Sequence, residues 1–217
     1  MYTMAATAEA RKAKSRLKQG LARGLVIGYP NNKKYVPRSC FQGLVTQDTI
    51  KRCLPGARDE LLEFVCSSAT KLFAILVYGS FLDEISLESA LQTCRDGHLT
   101  DSKLPLPQDH ERCICDGDRN LCRHAMVRCI KGKWGDYSWV EFWDHQWKFL
   151  ALELKAGDFE YSLDEQCILP IKLLGGHNKG AFGDVREGKL NTDHAIGFEQ
   201  VSRVVSGGLI VANCGNL

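Results

Sequence analysis

The sequence predicts an α+β protein in which a mainly helical region precedes a few β-strands. Three observations support this prediction. Apolar residues recur at helical spacing across residues 57–78, aromatic residues do so across residues 138–154, and the apolar period changes to two after Gly157. We therefore divide the chain into three parts, which are a basic arm that is helical or partly disordered, a helical region, and a segment of strands (residues 1–40, 41–157 and 158–217).

The arm is the most strongly charged part of the chain. Basic residues outnumber acids nine to one in residues 1–38, and Glu9 is the single acid. A basic, acid-poor start is typical of a transit peptide, but it also fits a solvated helix with Leu17, Leu21 and Leu25 along one side. We expect this arm to dock on an acidic surface of this protein or of another one.

The composition gives few further indications of location. The longest apolar run, residues 72–78, is far shorter than the ~20 residues that span a bilayer. No secretory signal is visible, so the ten cysteines are expected to be reduced thiols. The sequence therefore favours an intracellular, cytoplasmic protein with no membrane span. No clear nucleic-acid site is visible, and any protein partners are expected to bind the helical region.

The helical region contains two regular elements followed by a connector. Residues 57–78 are predicted to form one long, largely buried helix that ends at Gly79. Residues 83–95 predict a second helix with Gly97 as its cap. The stretch 99–109 is rich in turn residues and contains two prolines, which is typical of a connector.

An aromatic helix is predicted across residues 138–154. Ser138 and Glu141 have the spacing of a capping box. Its apolar residues then fall on one face, namely Trp139, Phe142, Trp143, Trp147, Leu150 and Leu154. An aromatic stripe at this spacing is more typical of a core face than of a nucleic-acid platform. His145 in the same helix is expected to be partly buried and structural.

A glycine-rich stretch follows two predicted strands, residues 159–163 and 167–175. It matches three of the four fixed positions of G-x-G-x-x-G-x-V when this pattern is laid on "NKGAFGDV", residues 178–185. Asn178 replaces the first glycine, and the candidate nucleotide-binding residues are Asn178, Gly180, Ala181, Phe182, Gly183 and Val185. Glycines let a backbone approach phosphate oxygens closely, and Asn tolerates left-handed backbone better than most residues.

Two other interpretations of this stretch remain open. In a second register Gly175 is the first glycine and residues 176–179 are looped out. Glycines at an ordinary β-hairpin turn would also give a similar pattern.

Residues 144–194 resemble a group of fungal protein-kinase-like proteins in which a helical amino-terminal region leads into a kinase domain. The resemblance lies in "QWKFLA", "CILP", "GAFGDV" and "TDH", and in the helical stretch "DELLEFVCSSATKLFAILV", residues 59–77. It implies a Ser/Thr-type kinase whose small lobe begins near Tyr161. It also implies ATP and Mg²⁺ as cofactors, although we expect this chain to bind neither.

The other groups that phosphoryl transfer requires do not follow the glycine stretch. Residues 195–217 contain no lysine, and no H-R-D occurs anywhere. "CRDG" and "GDFEY" hold parts of the kinase motifs, but both precede the glycines. We therefore expect a truncated, incomplete small lobe that is inactive, with an altered-frame tail and poor order over residues 190–217. The alternative is a non-enzymatic helical interaction or regulatory module with a vestigial glycine hairpin.

A cluster of cysteines and one histidine precedes the aromatic helix. Its members are Cys113, Cys115, Cys122, His124 and Cys129. Four such ligands could hold zinc in a tetrahedron, but the C-x-C and C-x-H spacings are tighter than the usual C-x2–4-C. Incidental thiols on a polar loop are the other interpretation.

Overall fold

The computed structural model describes residues 2–30, 32–79, 86–108, 123–157, 161, 163–180, 183–197 and 209–213. Within them the chain is mixed, with eight α-helices and seven short strands, so the predicted α+β class is confirmed. The chain divides into two compact units, Met1–Gly24 with Cys40–Phe149 and Leu25–Ser39 with Leu150–Leu217. We call them the helical unit and the strand unit. The three-part division made from the sequence stays a prediction.

The helical unit is built around one largely buried helix. Its elements are α1 (Tyr2–Arg23), α2 (Arg38–Leu44, whose first two residues belong to the strand unit), α3 (Gln47–Cys53), α4 (Asp59–Ser68), α5 (Thr70–Tyr78), α6 (Leu87–Asp96), α7 (Arg123–Trp134) and α8 (Asp136–Phe149). Every residue from 72 to 77 is buried, because α5 is surrounded by α1, α4, α6 and α8. A helix that is apolar on all sides is stable in water only when it is covered in this way.

The single helix predicted for residues 57–78 is wrong, because α4 and α5 meet at Ala69 with a bend of 98°. Ala69 itself provides no side-chain cap for α5. The carboxylate of Asp101 takes that role and accepts hydrogen bonds from the backbone N–H of Lys71 at 2.9 Å and of Leu72 at 3.0 Å. It also accepts one from Thr70 Oγ1 at 3.1 Å. The bend between α4 and α5 is thus stabilised by a residue distant in sequence.

No one helix among the described residues has both the length and the apolar character to cross a membrane. The bent pair α4–α5 has that length and apolar character only when its two helices are counted together.

The predicted capping box at Ser138 is also wrong. Helix α8 starts two residues earlier, at Asp136, and Ser138 is buried within its first turn. Gly135 has a φ of +83°. Its N–H donates to the carbonyl of Lys131 at 2.9 Å, and its carbonyl accepts from the backbone N–H of Trp139 at 3.1 Å. One glycine therefore closes α7 and opens α8, which its positive φ permits.

The aromatic face of α8 is largely in the core, as predicted. Trp139, Phe142 and Trp147 are buried, whereas Leu150 and Leu154 lie beyond the end of the helix at Phe149. Helix α6 covers most of the predicted range 83–95 and ends at Asp96, residues 83–85 lie outside the described residues, and Gly97 is its C-cap as predicted.

The connector after α6 contributes three leucines to the core. Leu99, Leu104 and Leu106 are all in the core. The amide of Gln146, itself buried, accepts from Leu106 N–H at 2.8 Å and donates to the Leu106 carbonyl at 2.9 Å. Gln146 therefore supplies both hydrogen bonds that this chain segment would otherwise obtain from a neighbouring strand.

The first part of the basic arm, Tyr2–Arg23, is a docked helix. Leu17 and Leu21 are buried where α1 packs on α3 and α5. Lys18 Nζ donates to the carbonyl of Gly79 at 3.4 Å, at the end of α5 where a cation is favoured. Leu25, expected on the same side, follows the end of the helix and is half-buried.

The strand unit contains three small sheets. Its strands are β1 (Val26–Ile27), β2 (Lys34–Tyr35), β3 (Leu154–Lys155), β4 (Ile171–Gly180), β5 (Gly183–Leu190), β6 (Ala195–Ile196) and β7 (Leu209–Asn213). The pairs are β1–β2 antiparallel, β3–β6 parallel, and β4–β5–β7 antiparallel.

The two strands predicted before the glycines are only partly present. Tyr161 and Leu163 lie outside any strand, and the rest of residues 159–163 lies outside the described residues. The strand predicted from residue 167 begins at Ile171. Residues 209–213 of the tail form β7, while residues 198–208 and 214–217 lie outside the described part of the chain.

Candidate functional site: a glycine hairpin and its anchor

The glycine-rich stretch forms an antiparallel β-hairpin. Strands β4 and β5 pair with Asn178 opposite Val185, Lys179 opposite Asp184, and Gly180 opposite Gly183. Gly180 and Gly183 are the last described pair of this ladder, and two residues separate them in the sequence. Those two residues, Ala181 and Phe182, lie outside the described residues.

The backbone pairing distinguishes between the two registers considered for the glycines. Residues 177–179 pair with β5, and Gly176 is the one unpaired residue before them, so residues 176–179 are not looped out as a whole. The ladder has irregularities between Leu173 and Gly175 and between Gly175 and His177. Such irregularities bend a strand locally. The arrangement therefore fits the register that starts at Asn178.

The base of the hairpin is closely packed. Ile171 is buried and pairs with Leu190. Gly188 is also buried, and a Cβ placed on it would lie 2.5 Å from Ile171 Cγ2. Glycine is therefore required there by close approach of a neighbouring side chain.

A network of polar side chains anchors the hairpin at the segment after β5. The backbone N–H of Asn191 donates to the Pro170 carbonyl at 2.8 Å, and Asn191 Nδ2 donates to Tyr35 Oη at 2.9 Å. Burial raises the pKa of Tyr35, and the charge of Asp193 adds to this effect, while the hydrogen bond from Asn191 lowers it. The phenol is thus held neutral as an acceptor.

His194 is the centre of this network. It is 4% exposed and meets the Tyr35 ring edge-on at 5.2 Å. Its Nε2 accepts from the backbone N–H of Arg38 at 3.3 Å, and its Nδ1 lies 3.2 Å from the Leu152 carbonyl. Since a carbonyl only accepts, Nδ1 carries the proton. The imidazole therefore joins three segments of the strand unit.

Asp193 completes the anchor by accepting a hydrogen bond from Ser39 Oγ. The "TDH" triplet thus has a structural role, because residues 192–194 form a 3₁₀ turn whose side chains hold residues 35–39. No pattern in the sequence pointed to a role for Tyr35 or Asn191. The one local signal for Asn191 is its type, because Asn is favoured as the cap of a helical turn, and here it accepts from Asp193 N–H at 3.1 Å.

The predicted zinc ligands are not brought together in the described part of the chain. Cys129 lies exposed on α7, residues 113, 115 and 122 lie outside the described residues, and the side chain of His124 is not described. No group of three or more His, Cys, Asp or Glu residues that could hold a metal ion occurs in the ranges described. The zinc site stays a prediction.

His145 is half-buried in α8, as expected. Its ring meets Tyr78 edge-on at 5.1 Å, and Lys148 Nζ donates to its Nδ1 at 3.1 Å. Burial lowers the pKa of His145, and Lys148 lowers it further, against a smaller raising effect of Asp144. The histidine is therefore held neutral within the helical unit.

Comparison with protein-family models, with curated proteins and with solved structures gives no match for this chain.

Proposed function

We propose that residues 171–190 are a glycine-rich loop of the protein-kinase type, in a Ser/Thr protein-kinase-like chain. The supporting observation is the antiparallel pairing of β4 with β5, in which Gly180 lies opposite Gly183. In protein kinases a hairpin with this pattern covers the ATP phosphates. The proposal also includes the kinase small lobe as the parent fold of the strand unit.

The glycine positions have a physical basis in this proposal. A side chain at either glycine would stand between the backbone and a phosphate oxygen. Val185, directly opposite Asn178, occupies the apolar position that ends the pattern. Asn178 departs from the pattern, and this departure is expected to weaken the loop.

The other sequence motifs that a protein kinase uses are not found after the loop in this sequence. A phosphate-binding Lys, a catalytic Asp and a metal-binding Asp must accompany the loop, and the sequence has no V-A-x-K or H-R-D after it. The described residues contain no cluster that could hold Mg²⁺. We therefore derive no phosphoryl-transfer step.

The loop is tested by grafting it. Residues 171–190 replace the glycine-rich loop of an active Ser/Thr kinase, and KM for ATP is measured. Asn178→Gly in this chimera should lower KM about fivefold (roughly 1 kcal/mol), since glycine adopts the required backbone freely. Gly180→Val should raise KM, and Lys172→Ala at the exposed base of β4 is the matched control. If the chimera folds and all three variants have the same KM for ATP, the proposal is contradicted.

The chain itself is tested with Mg·ATP. We expect no change in its melting temperature and no phosphoryl transfer to protein substrates. A clear rise in melting temperature, or transfer above a no-enzyme control, would show that the chain is more than a non-catalytic relative.

A further inference from the structure

The helical unit has an open cleft beside α1 with a volume of about 470 Å³. Its apolar floor is formed by Leu17 of α1, Leu44 at the end of α2, and Pro55 after α3. Leu17 is buried, whereas Leu44 is half-buried and Pro55 is exposed. The volume is within the range of pockets that bind small apolar groups.

The rim of this cleft is basic. Arg16, Lys51 and Arg52 line it, and all three are exposed. Arg52 pairs with Asp48 one turn earlier, whereas Arg16 and Lys51 make no ion pair within the described ranges. Two cations at the mouth of an apolar cleft are thus available to an external anion.

Helix α1 extends this positive charge. Lys12 lies one turn before Arg16 on the same side of the helix and is exposed. Glu9 is the single acid of the helix and lies on the rim of the cleft. Basic charge therefore exceeds acidic charge along the whole cleft side of α1.

The apolar surface continues past the first cleft. A second cleft of about 530 Å³ shares Pro55 with the first. Its walls include the apolar residues Ala10, Leu54 and Leu87 and one residue of each charge, Lys14 and Glu88, so the excess of basic charge lies at the first cleft. An extended or helical segment has room for more than one apolar side chain along this path.

We propose that these clefts bind an acidic peptide segment of a partner protein, in which apolar side chains alternate with Asp or Glu. The apolar residues fill the floor around Leu44 and Pro55, and the carboxylates pair with Arg16 and Lys51. A purely anionic ligand would leave the apolar floor unused, and a purely apolar one would leave the cations unpaired. This inference goes beyond the proposed function and uses no residue of the glycine hairpin.

The test uses the full chain and fluorescein-labelled peptides of about 12 residues, a length that covers a short groove. One peptide repeats Glu-Glu-Leu, and two comparison peptides repeat Gln-Gln-Leu and Glu-Glu-Ser. In fluorescence anisotropy the first should bind roughly tenfold more tightly than either comparison peptide, with affinity that falls as salt is raised. Equal binding of the Gln and Glu peptides overturns the proposal.

Paired variants locate the site. The double variant Arg16→Ala, Lys51→Ala should weaken binding of the acidic peptide about tenfold. The double variant Lys103→Ala, Lys133→Ala removes the same charge from residues outside both clefts and should leave binding within about twofold. All these residues are at the surface, and circular dichroism checks that each variant folds. Equal losses in the two double variants overturn the proposal.

Self-association is measured on the same proteins. If sedimentation shows that the chain forms a dimer that Arg16→Ala, Lys51→Ala disrupts, the occupant of the clefts is a second copy, and the proposed acidic partner is wrong. A monomeric chain that binds the acidic peptide supports the proposal.

Discussion

The carboxylate of Asp101 caps α5 from a separate segment of the chain, and replacing it with alanine measures what this contact contributes. Asp101 accepts three hydrogen bonds, two of them from the backbone N–H groups of Lys71 and Leu72. Since α5 has no cap of its own, Asp101→Ala leaves the first turn of the most buried helix without an acceptor.

The size of the effect follows from these contacts. Loss of an N-terminal cap costs about 1 kcal/mol, and a buried N–H left unpaired costs roughly 1–3 kcal/mol. Burial raises the pKa of the Asp101 carboxyl despite its hydrogen bonds, so desolvation of the carboxylate offsets part of the gain. We therefore expect a loss of about 2 kcal/mol, or a melting temperature lower by about 4–8 °C for a chain of this length.

Urea unfolding monitored by tryptophan fluorescence is a suitable assay. All four tryptophans lie in α7 and α8, so the signal reports on the helical unit that contains Asp101. Asp96→Ala is the matched control, because Asp96 is exposed and lies at the end of α6, where a negative charge is unfavourable. If Asp101→Ala shifts the midpoint no more than Asp96→Ala does, the cap has no energetic role.

Two further predictions concern the helical unit. Gln146→Leu should destabilise it by roughly 2–4 kcal/mol, because both buried backbone groups of Leu106 lose their hydrogen-bond partners. Urea unfolding measures this loss, with Gln47→Leu at an exposed position as the control. Equal unfolding midpoints for the two variants would contradict the prediction. The pKa of His145 is lower in the folded protein than in the unfolded chain, where it is about 6.5. The stability that the neutral imidazole contributes is therefore fully present above the unfolded-state pKa and is lost as pH falls through the folded-state pKa. His145→Gln should therefore lose less stability between about pH 7.5 and pH 5 than the natural protein; His98→Gln, at an exposed histidine, is the control, and an unchanged pH dependence in His145→Gln would contradict the prediction.

Local patterns in the sequence were sufficient where a single element determines its own burial. The buried residues of α6 and its glycine cap follow from apolar spacing and backbone freedom within a short window. The hairpin turn is similar, because Gly180 and Gly183 are only three residues apart. In these cases the cause and the structure lie in the same stretch of chain.

Long-range contacts explain the failures. The bend at Ala69 has no glycine or proline to announce it, and its cap, Asp101, is about 30 residues away. At the start of α8, Ser138 has suitable spacing for a capping box, yet Gly135 ends α7 in a left-handed conformation and thereby fixes the start of the next helix.

The candidate sites also divide into parts that a local pattern predicts and parts that depend on long-range contacts. The glycine pattern identifies the hairpin, but the anchor around His194 joins Arg38 to a residue 156 positions later. The clefts beside α1 arise only when α1 docks on α3. Charge counting located the basic arm, but only the packed helices place Arg16 and Lys51 around one apolar floor.

The discontinuous strand unit imposes an order on biosynthesis. Tyr35 leaves the ribosome 156 residues before its partner Asn191, a delay of roughly 8 to 31 s at ordinary elongation rates. During this interval the nascent segment from Leu25 to Ser39 lacks the side chains of residues 191–194 that later hold it. A chaperone that shields this segment, or a synonymous-codon pause before residue 191, would therefore alter the yield of native protein without changing any amino acid.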